Sequence, residues 1–154
     1  MAIITHSEAL LDLVKKSEGC KLTAYQDTGG IWTIGWGATT YENGLSVKQG
    51  DSISQIAADN LLDFHLHTFD LKVSQYAPPT INQNMHDALT DFAYNVGAQA
   101  LLTSTLLKKV HLNINDATIA AEFAKWMHDS KGSVLEGLKK RRAAEAALYF
   151  TPVI

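Results

Sequence analysis

The stretch Ser17-Glu-Gly-Cys-Lys-Leu-Thr-Ala-Tyr-Gln-Asp-Thr-Gly-Gly-Ile-Trp-Thr-Ile-Gly-Trp-Gly37 decides the fold. Lys21 to Gln26 and Ile31 to Trp36 read as two strands joined across the turn-forming Asp27-Thr-Gly-Gly. Upstream, Leu10, Leu13, Val14 and Ser17 recur at helical spacing behind a Thr5-x-x-Glu8 capping box, and Gly19 is a natural helix stop. A helix is therefore expected from about 6 to 18, with Glu18 at its end.

Downstream, residues 38–52 carry Gly44 and Gly50 and fit a third short strand or a loop. From Ser54 to about Gln75 the pattern is helical again, through Ile56, Leu61, Leu62, Leu66, Phe69 and Val73, and Pro78-Pro79 stops it. Thr80-x-x-Gln83 is read as a capping box opening a helix that ends at Gly97. A shorter helix is expected over Ser104–Leu112, another from Asp116 through Met127, and a last one opened by Ser133-x-x-Glu136 and ended before Pro152. The sum is an α+β chain forming a single domain over 1–154. Its small N-terminal β-hairpin lobe spans about 1–53, its long connecting helix about 54–76 and its all-helical lobe about 77–154.

Composition narrows the classes. With 46% hydrophobic and 19% charged residues among 154, the chain buries a core and is not disordered. Its net charge of −3 divides unevenly: residues 1–76 hold five Lys against nine acidic residues, and 77–154 hold eight basic against seven acidic. A nucleic-acid binder shows a basic face, so no nucleic-acid partner is expected. No apolar run reaches the length of a membrane span. The N-terminus lacks the basic start and apolar centre of a signal peptide. The expectation is synthesis in the cytoplasm, with no stable membrane insertion. The lone Cys20 makes no internal disulfide and reads as a small packed side chain. His65 and His67 lie two apart on a helix and face different sides, so no metal and no cofactor are expected.

The candidate catalytic residues are Glu18, Asp27 and Thr33. Two carboxyls in different protonation states, held apart, are what acid-catalysed cleavage of a glycosidic bond needs. At a helix C-terminus the macrodipole opposes a carboxylate, which favours a protonated Glu18 suited to general-acid work. Asp27 lies beside Gly29 and Gly30 in a polar loop that keeps it ionised. Strand alternation puts Trp32, Ile34 and Trp36 on the core face, leaving Thr33, Gly35 and Gly37 on an open face where a polymer could lie. Thr33 would then help hold a water for Asp27. Each residue also has a structural reading: a solvated helix end, a turn former and a strand threonine.

The residues resemble the phage-type lysozymes, or endolysins, of glycoside hydrolase family 24. The signature is Glu, eight residues, Asp or Cys, five residues, Thr, met here at Glu18, Asp27 and Thr33. The likeness continues through Gly30-Ile-Trp-Thr-Ile-Gly-Trp-Gly37, Ala88-Leu-x-x-Phe-Ala-Tyr-Asn-Val-Gly97, Ser104-Thr-Leu-Leu-Lys-Lys109, Glu122-Phe-x-Lys-Trp126 and Gly137-Leu-x-x-Arg-Arg-Ala-Ala-Glu145. The resemblance implies a two-lobed lysozyme fold. It also implies hydrolysis of the β-1,4 bond between N-acetylmuramic acid and N-acetylglucosamine in peptidoglycan, leading to bacterial lysis. Glu18 would be the acid and Asp27 the base or charge stabiliser, with Thr33 assisting. Tyr94, Asn95 and Thr105 fall where the family lines its cleft and are the expected substrate contacts. The peptidoglycan polysaccharide would be the partner of a monomer, released to the wall by a separate factor. Two departures stand out: Ala38 where the family has a histidine, and an acidic balance where many members are basic.

Arg141 and Arg142 have two readings, an ion pair to Glu18 or Asp12 and a solvated basic helix face. Rival functions are a lytic transglycosylase, a non-catalytic wall-binding protein and a helical DNA-binding regulator. Retention of Asp27 and Thr33 disfavours the first two, and charge disfavours the last.

Overall fold

The computed structural model describes residues 3–154. Their elements run α1 (Glu8–Glu18), β1 (Lys21–Gln26), β2 (Trp32–Gly35), α2 (Gln55–Tyr76), α3 (Gln83–Val96), α4 (Ala98–Thr103), α5 (Thr105–Leu112), α6 (Ile119–Ala124) and α7 (Glu136–Tyr149). One two-stranded antiparallel sheet among helices makes the chain α+β, as expected.

Contacts divide the chain into two compact units: Val14–Thr68, and the residues up to Leu13 together with Phe69–Ile154. The start of the chain thus groups with the helical unit and not with the hairpin, and polar bonds explain it. Ile4 N–H donates to Ser74 Oγ at 3.1 Å, and His6 N–H to Asp70 Oδ2 at 3.1 Å. His6 Nδ1 lies 2.6 Å from Asp70 Oδ2, and His86 Nε2 lies 2.9 Å from Asp70 Oδ1, so a fully buried carboxylate is held between two imidazoles. Ser7 Oγ donates to Asp87.

In the Val14–Thr68 unit, β1 and β2 pair Tyr25 with Thr33 and Gln26 with Trp32, with a register irregularity between Lys21 and Tyr25. Strand β2 is shorter than its sequence implied. Gly35 at φ +63° and Gly37 at φ +98° turn the chain, and Ile34 and Ala38 exchange backbone bonds of 2.8 and 2.9 Å. Alternation therefore ends at Gly35. Beyond it, residues 38–52 contribute isolated bridges, Thr40 with Ser46 and Ser52 with Thr23. The small core is Ile34, Ala38, Val47 and Leu61, with Ala24, Trp32, Tyr41 and Ile53 packed against it. Trp32 joins that core as expected. Trp36 does not; it stands half-buried on the turn.

The helical unit gathers Leu89, Phe92, Leu101, Val110, Phe123 and Tyr149 into a larger core. The Phe92 ring meets Phe123 and Trp126 edge-on at 5.8 and 5.4 Å, the favoured aromatic geometry. Trp126 is thereby a packing residue. Gly97 ends α3 as expected, yet the chain resumes at once as α4, which the sequence reading did not foresee. Helix starts differ too. Asn82, not Thr80, caps α3 by accepting from Met85 N–H at 2.9 Å, while Gln83 reaches Thr5 O and Asp87. Ser104 caps α5 through Leu107 N–H. α6 is short, beginning at Ile119, and α7 follows Leu135 without a side-chain cap bond.

Arg141 and Arg142 are not a solvated basic helix face. Both are buried: Arg141 makes a bidentate pair with Asp91 at 2.9 and 2.8 Å. Arg142 Nη2 donates to Glu145 Oε2 at 2.7 Å, and its guanidinium lies 5.1 Å over the Phe92 ring. Arg142 Nε is 2.5 Å from Glu145 Oε1 but is not aligned for a hydrogen bond.

Candidate active site

Glu18, Asp27 and Thr33 all belong to the Val14–Thr68 unit. Glu18 is the last residue of α1, and Gly19 at φ +69° lets the chain leave the helix into β1. The carboxyl of Glu18 lies against Gly37: a Cβ placed on that glycine would sit 2.9 Å from Glu18 Oε2. Only a residue without a side chain admits the acid there.

Asp27 is exposed, in the loop where the sequence put it. Its Oδ1 accepts from Gly29 N–H at 2.8 Å and from Ile31 N–H at 2.9 Å. Its own N–H donates to Ile31 O at 2.9 Å. Oδ1 is thus committed to the loop, an Asx-type closure that fixes the carboxylate plane.

Thr33 is 4% exposed, so the face of Thr33, Gly35 and Gly37 is not open as alternation suggested. Gly35 abuts Ala58 Cβ at 3.4 Å and Gly37 abuts Glu18. The Thr33 hydroxyl donates to Ile31 O at 2.9 Å. It therefore holds the same peptide segment whose N–H holds Asp27.

Tyr25, on β1 between Glu18 and Asp27, is a neighbour of the candidate site that the sequence reading missed. Its phenol is pushed above the ordinary tyrosine value, first by burial, then by the negative charges of Glu18, Asp27 and Cys20. The Lys21 ammonium lies 4.3 Å over the Tyr25 ring. The available signal was strand parity, since Tyr25 is paired across the sheet with Thr33.

Tyr94, Asn95 and Thr105 lie in the helical unit. Tyr94 packs edge-on to Phe69 at 5.6 Å. Asn95 lines a hollow of about 480 Å³ with Val96, Lys125, Trp126, His128 and Leu138. Thr105 is the exposed first residue of α5. His65 Nε2 is bonded to Thr40 O at 2.9 Å. Among the described residues no group of three or more His, Cys, Asp or Glu side chains is arranged to hold a metal ion. Nor is any helix among them long and apolar enough to cross a membrane.

Comparison with known proteins places this arrangement in a family. The phage lysozyme family model matches residues 15–145. The endolysin of Acyrthosiphon pisum secondary endosymbiont phage 1 is 40% identical over 147 residues, covering 93% of this chain and 96% of that protein. The endolysin from Escherichia coli O157:H7 phage FAHEc1 superposes with a TM-score of 0.86 at 34% identity, over 97% of this chain and 94% of that one. The muramidase domain of SpmX from Asticaccaulis excentricus superposes with a TM-score of 0.83 at 31% identity, over 97% and 99%. With one carboxyl closing α1, the other following β1, and a matched span that covers most of the sequence, the chain belongs to the phage lysozyme family.

Proposed function

We propose that Glu18 is the general acid and Asp27 the general base with which this lysozyme hydrolyses the β-1,4 bond between N-acetylmuramic acid and N-acetylglucosamine. The chain is a peptidoglycan-hydrolysing glycoside hydrolase by family; the roles of its residues are the proposal. In that reading Glu18 gives its proton to the leaving glycosidic oxygen as the bond to the anomeric carbon breaks. Water attacks that carbon from the opposite face while Asp27 takes the water's proton, inverting the configuration. Asp27 Oδ1 is held by the loop, which leaves Oδ2 for the water. The Thr33 hydroxyl spends its proton on Ile31 O, so its oxygen remains an acceptor for that water. Tyr94, Asn95 and Thr105 are proposed as substrate contacts on the strength of the resemblance. A monomer without nucleic-acid partners, made in the cytoplasm and released to the wall by a separate factor, completes the proposal.

What supports the reading is geometry: one carboxyl rests where a Cβ on Gly37 would meet it at 2.9 Å, and the other is closed into an exposed loop by the N–H groups of Gly29 and Ile31. The test is digestion of purified cell wall by the wild type beside Glu18→Gln, with mass analysis of the fragments. Hydrolysis yields reducing muramic acid ends, and Glu18→Gln loses the activity. Equal digestion by both proteins, or 1,6-anhydro ends from the wild type, overturns the assignment.

A further inference from the structure

Trp36 stands between two glycines of positive φ, Gly35 at +63° and Gly37 at +98°. Such a segment has many accessible conformations and needs an anchor to keep one. The indole supplies it. Trp36 Nε1–H donates to Asp59 Oδ1 at 2.8 Å, and Gln55 Nε2–H donates to the same oxygen at 3.0 Å. Lys15 Nζ lies 3.9 Å from that oxygen and 5.4 Å from the centre of the indole ring. The indole bond, more than the Gln55 bond and the Lys15 charge, holds the Asp59 carboxyl below the usual carboxylate range against a desolvation cost. The acceptor is then charged, and hydrogen bonds to a charged acceptor are the stronger kind.

Lys15 and Glu18 are three apart on α1 and share a helix face. Helix α1 thus touches the glycine turn twice, with Lys15 at Trp36 and Glu18 at Gly37. Helix α2 touches it through Asp59 and, at Gly35, through Ala58. The wall against which the Glu18 carboxyl rests is thus held by Trp36, Asp59, Lys15 and Ala58.

We propose that Trp36 and Asp59 are positioning residues: the indole–carboxylate bond fixes the Gly35–Gly37 turn and so keeps the Glu18 carboxyl in one orientation for proton donation. The proposal rests on Glu18 as the general acid. Its alternative is that Trp36 is a sugar-stacking platform, which would act on binding and not on turnover.

Steady-state kinetics on soluble wall glycan separate the two. Trp36→Phe and Asp59→Ala should each lower kcat by about tenfold, the scale of a sub-ångström misplacement of a reacting group. KM should stay nearly unchanged, and the limb of the pH–rate profile set by the acid should move. Asp59→Asn, whose amide oxygen still accepts from the indole, should recover most of the loss. Thermal unfolding by circular dichroism sets a temperature at which each variant is folded. Should Trp36→Phe not fold, the Asp59→Ala and Asp59→Asn pair decides alone. A rise in KM at constant kcat, or wild-type kcat with an unmoved pH profile, overturns the proposal. If Glu18→Gln is inactive while these variants are fully active, this inference alone fails. If Glu18→Gln keeps wild-type activity, the assignment beneath it fails as well.

Discussion

Gly37→Ala separates stability from catalysis, because its two costs fall on different parts of the molecule. The new Cβ would lie 2.9 Å from Glu18 Oε2, about 0.5 Å inside the 3.4 Å at which ordinary contact begins. The obstructed atom is the far end of a flexible side chain, so the clash is relieved by swinging the carboxyl aside at little cost to folding. The folding cost comes instead from φ +98°, where an L-residue pays on the order of 1–3 kcal/mol. For a chain of this size that lowers Tm by roughly 2–10 °C. The activity cost, on the proposal that Glu18 is the general acid, comes from displacing its carboxyl. A shift near 1 Å in a reacting group costs about a hundredfold in rate, so half that distance implies about tenfold in kcat. Gly44→Ala is the control: its φ is +83° and nothing lies within 4 Å of its Cβ, so it carries the strain alone. The assay is turbidity loss of a wall suspension at a temperature where all three proteins are folded, beside their melting curves. If Gly37→Ala and Gly44→Ala lose equal stability and Gly37→Ala digests wall at the wild-type rate, the contact with Glu18 has no catalytic weight.

Two further outcomes concern the helical unit. Arg141→Met should cost about 3–5 kcal/mol by leaving Asp91 buried without its bidentate partner, read as a fall in Tm on the order of 10 °C, and Asp91→Leu in the same chain should restore much of it. Glu145 has its pKa pushed well above the carboxylate range, first by burial and then by its bond to Asp91 and that residue's charge, with Arg142 opposing. A raised folded value gives stability that is complete below the unfolded value of 4.5 and is lost as pH climbs toward the folded one. Glu145→Gln, which cannot ionise, should therefore melt progressively higher than the wild type as pH rises above that point; a Tm difference constant from acid to neutral pH would refute it.

Much of this was legible in the sequence where one local pattern decides the structure. The helix end at Glu18, the hairpin across Asp27-Thr-Gly-Gly and the long helix halted by Pro78-Pro79 each depend on neighbours in the chain. Long-range polar pairing was not legible. Asp70 between His6 and His86, and Asp91 beneath Arg141, join residues far apart in sequence. Those pairs decided which unit the N-terminus joins and whether the arginines are solvated. The capping boxes at Thr80 and Ser133 misplaced helix starts because nearby residues supplied the cap or none was made. The open face was a parity argument carried too far. Parity holds only while the backbone stays extended, and Gly35 ends that condition one residue before Trp36.

The five-residue gap between Asp27 and Thr33 has a physical origin in the hydrogen bonds that close the loop. Asp27 Oδ1 needs the N–H groups of Gly29 and Ile31 on one side of a tight turn, and Gly30 at φ +79° makes that turn possible. The Ile31 carbonyl in turn receives both the Asp27 N–H and the Thr33 hydroxyl. One peptide segment thus holds Asp27 and Thr33 together. An inserted residue would break one of these bonds and leave the others holding the carboxylate in a different plane. A spacing of this kind is therefore a statement about which oxygen of Asp27 faces outward. The Thr33 hydroxyl takes part in that closure through the Ile31 carbonyl.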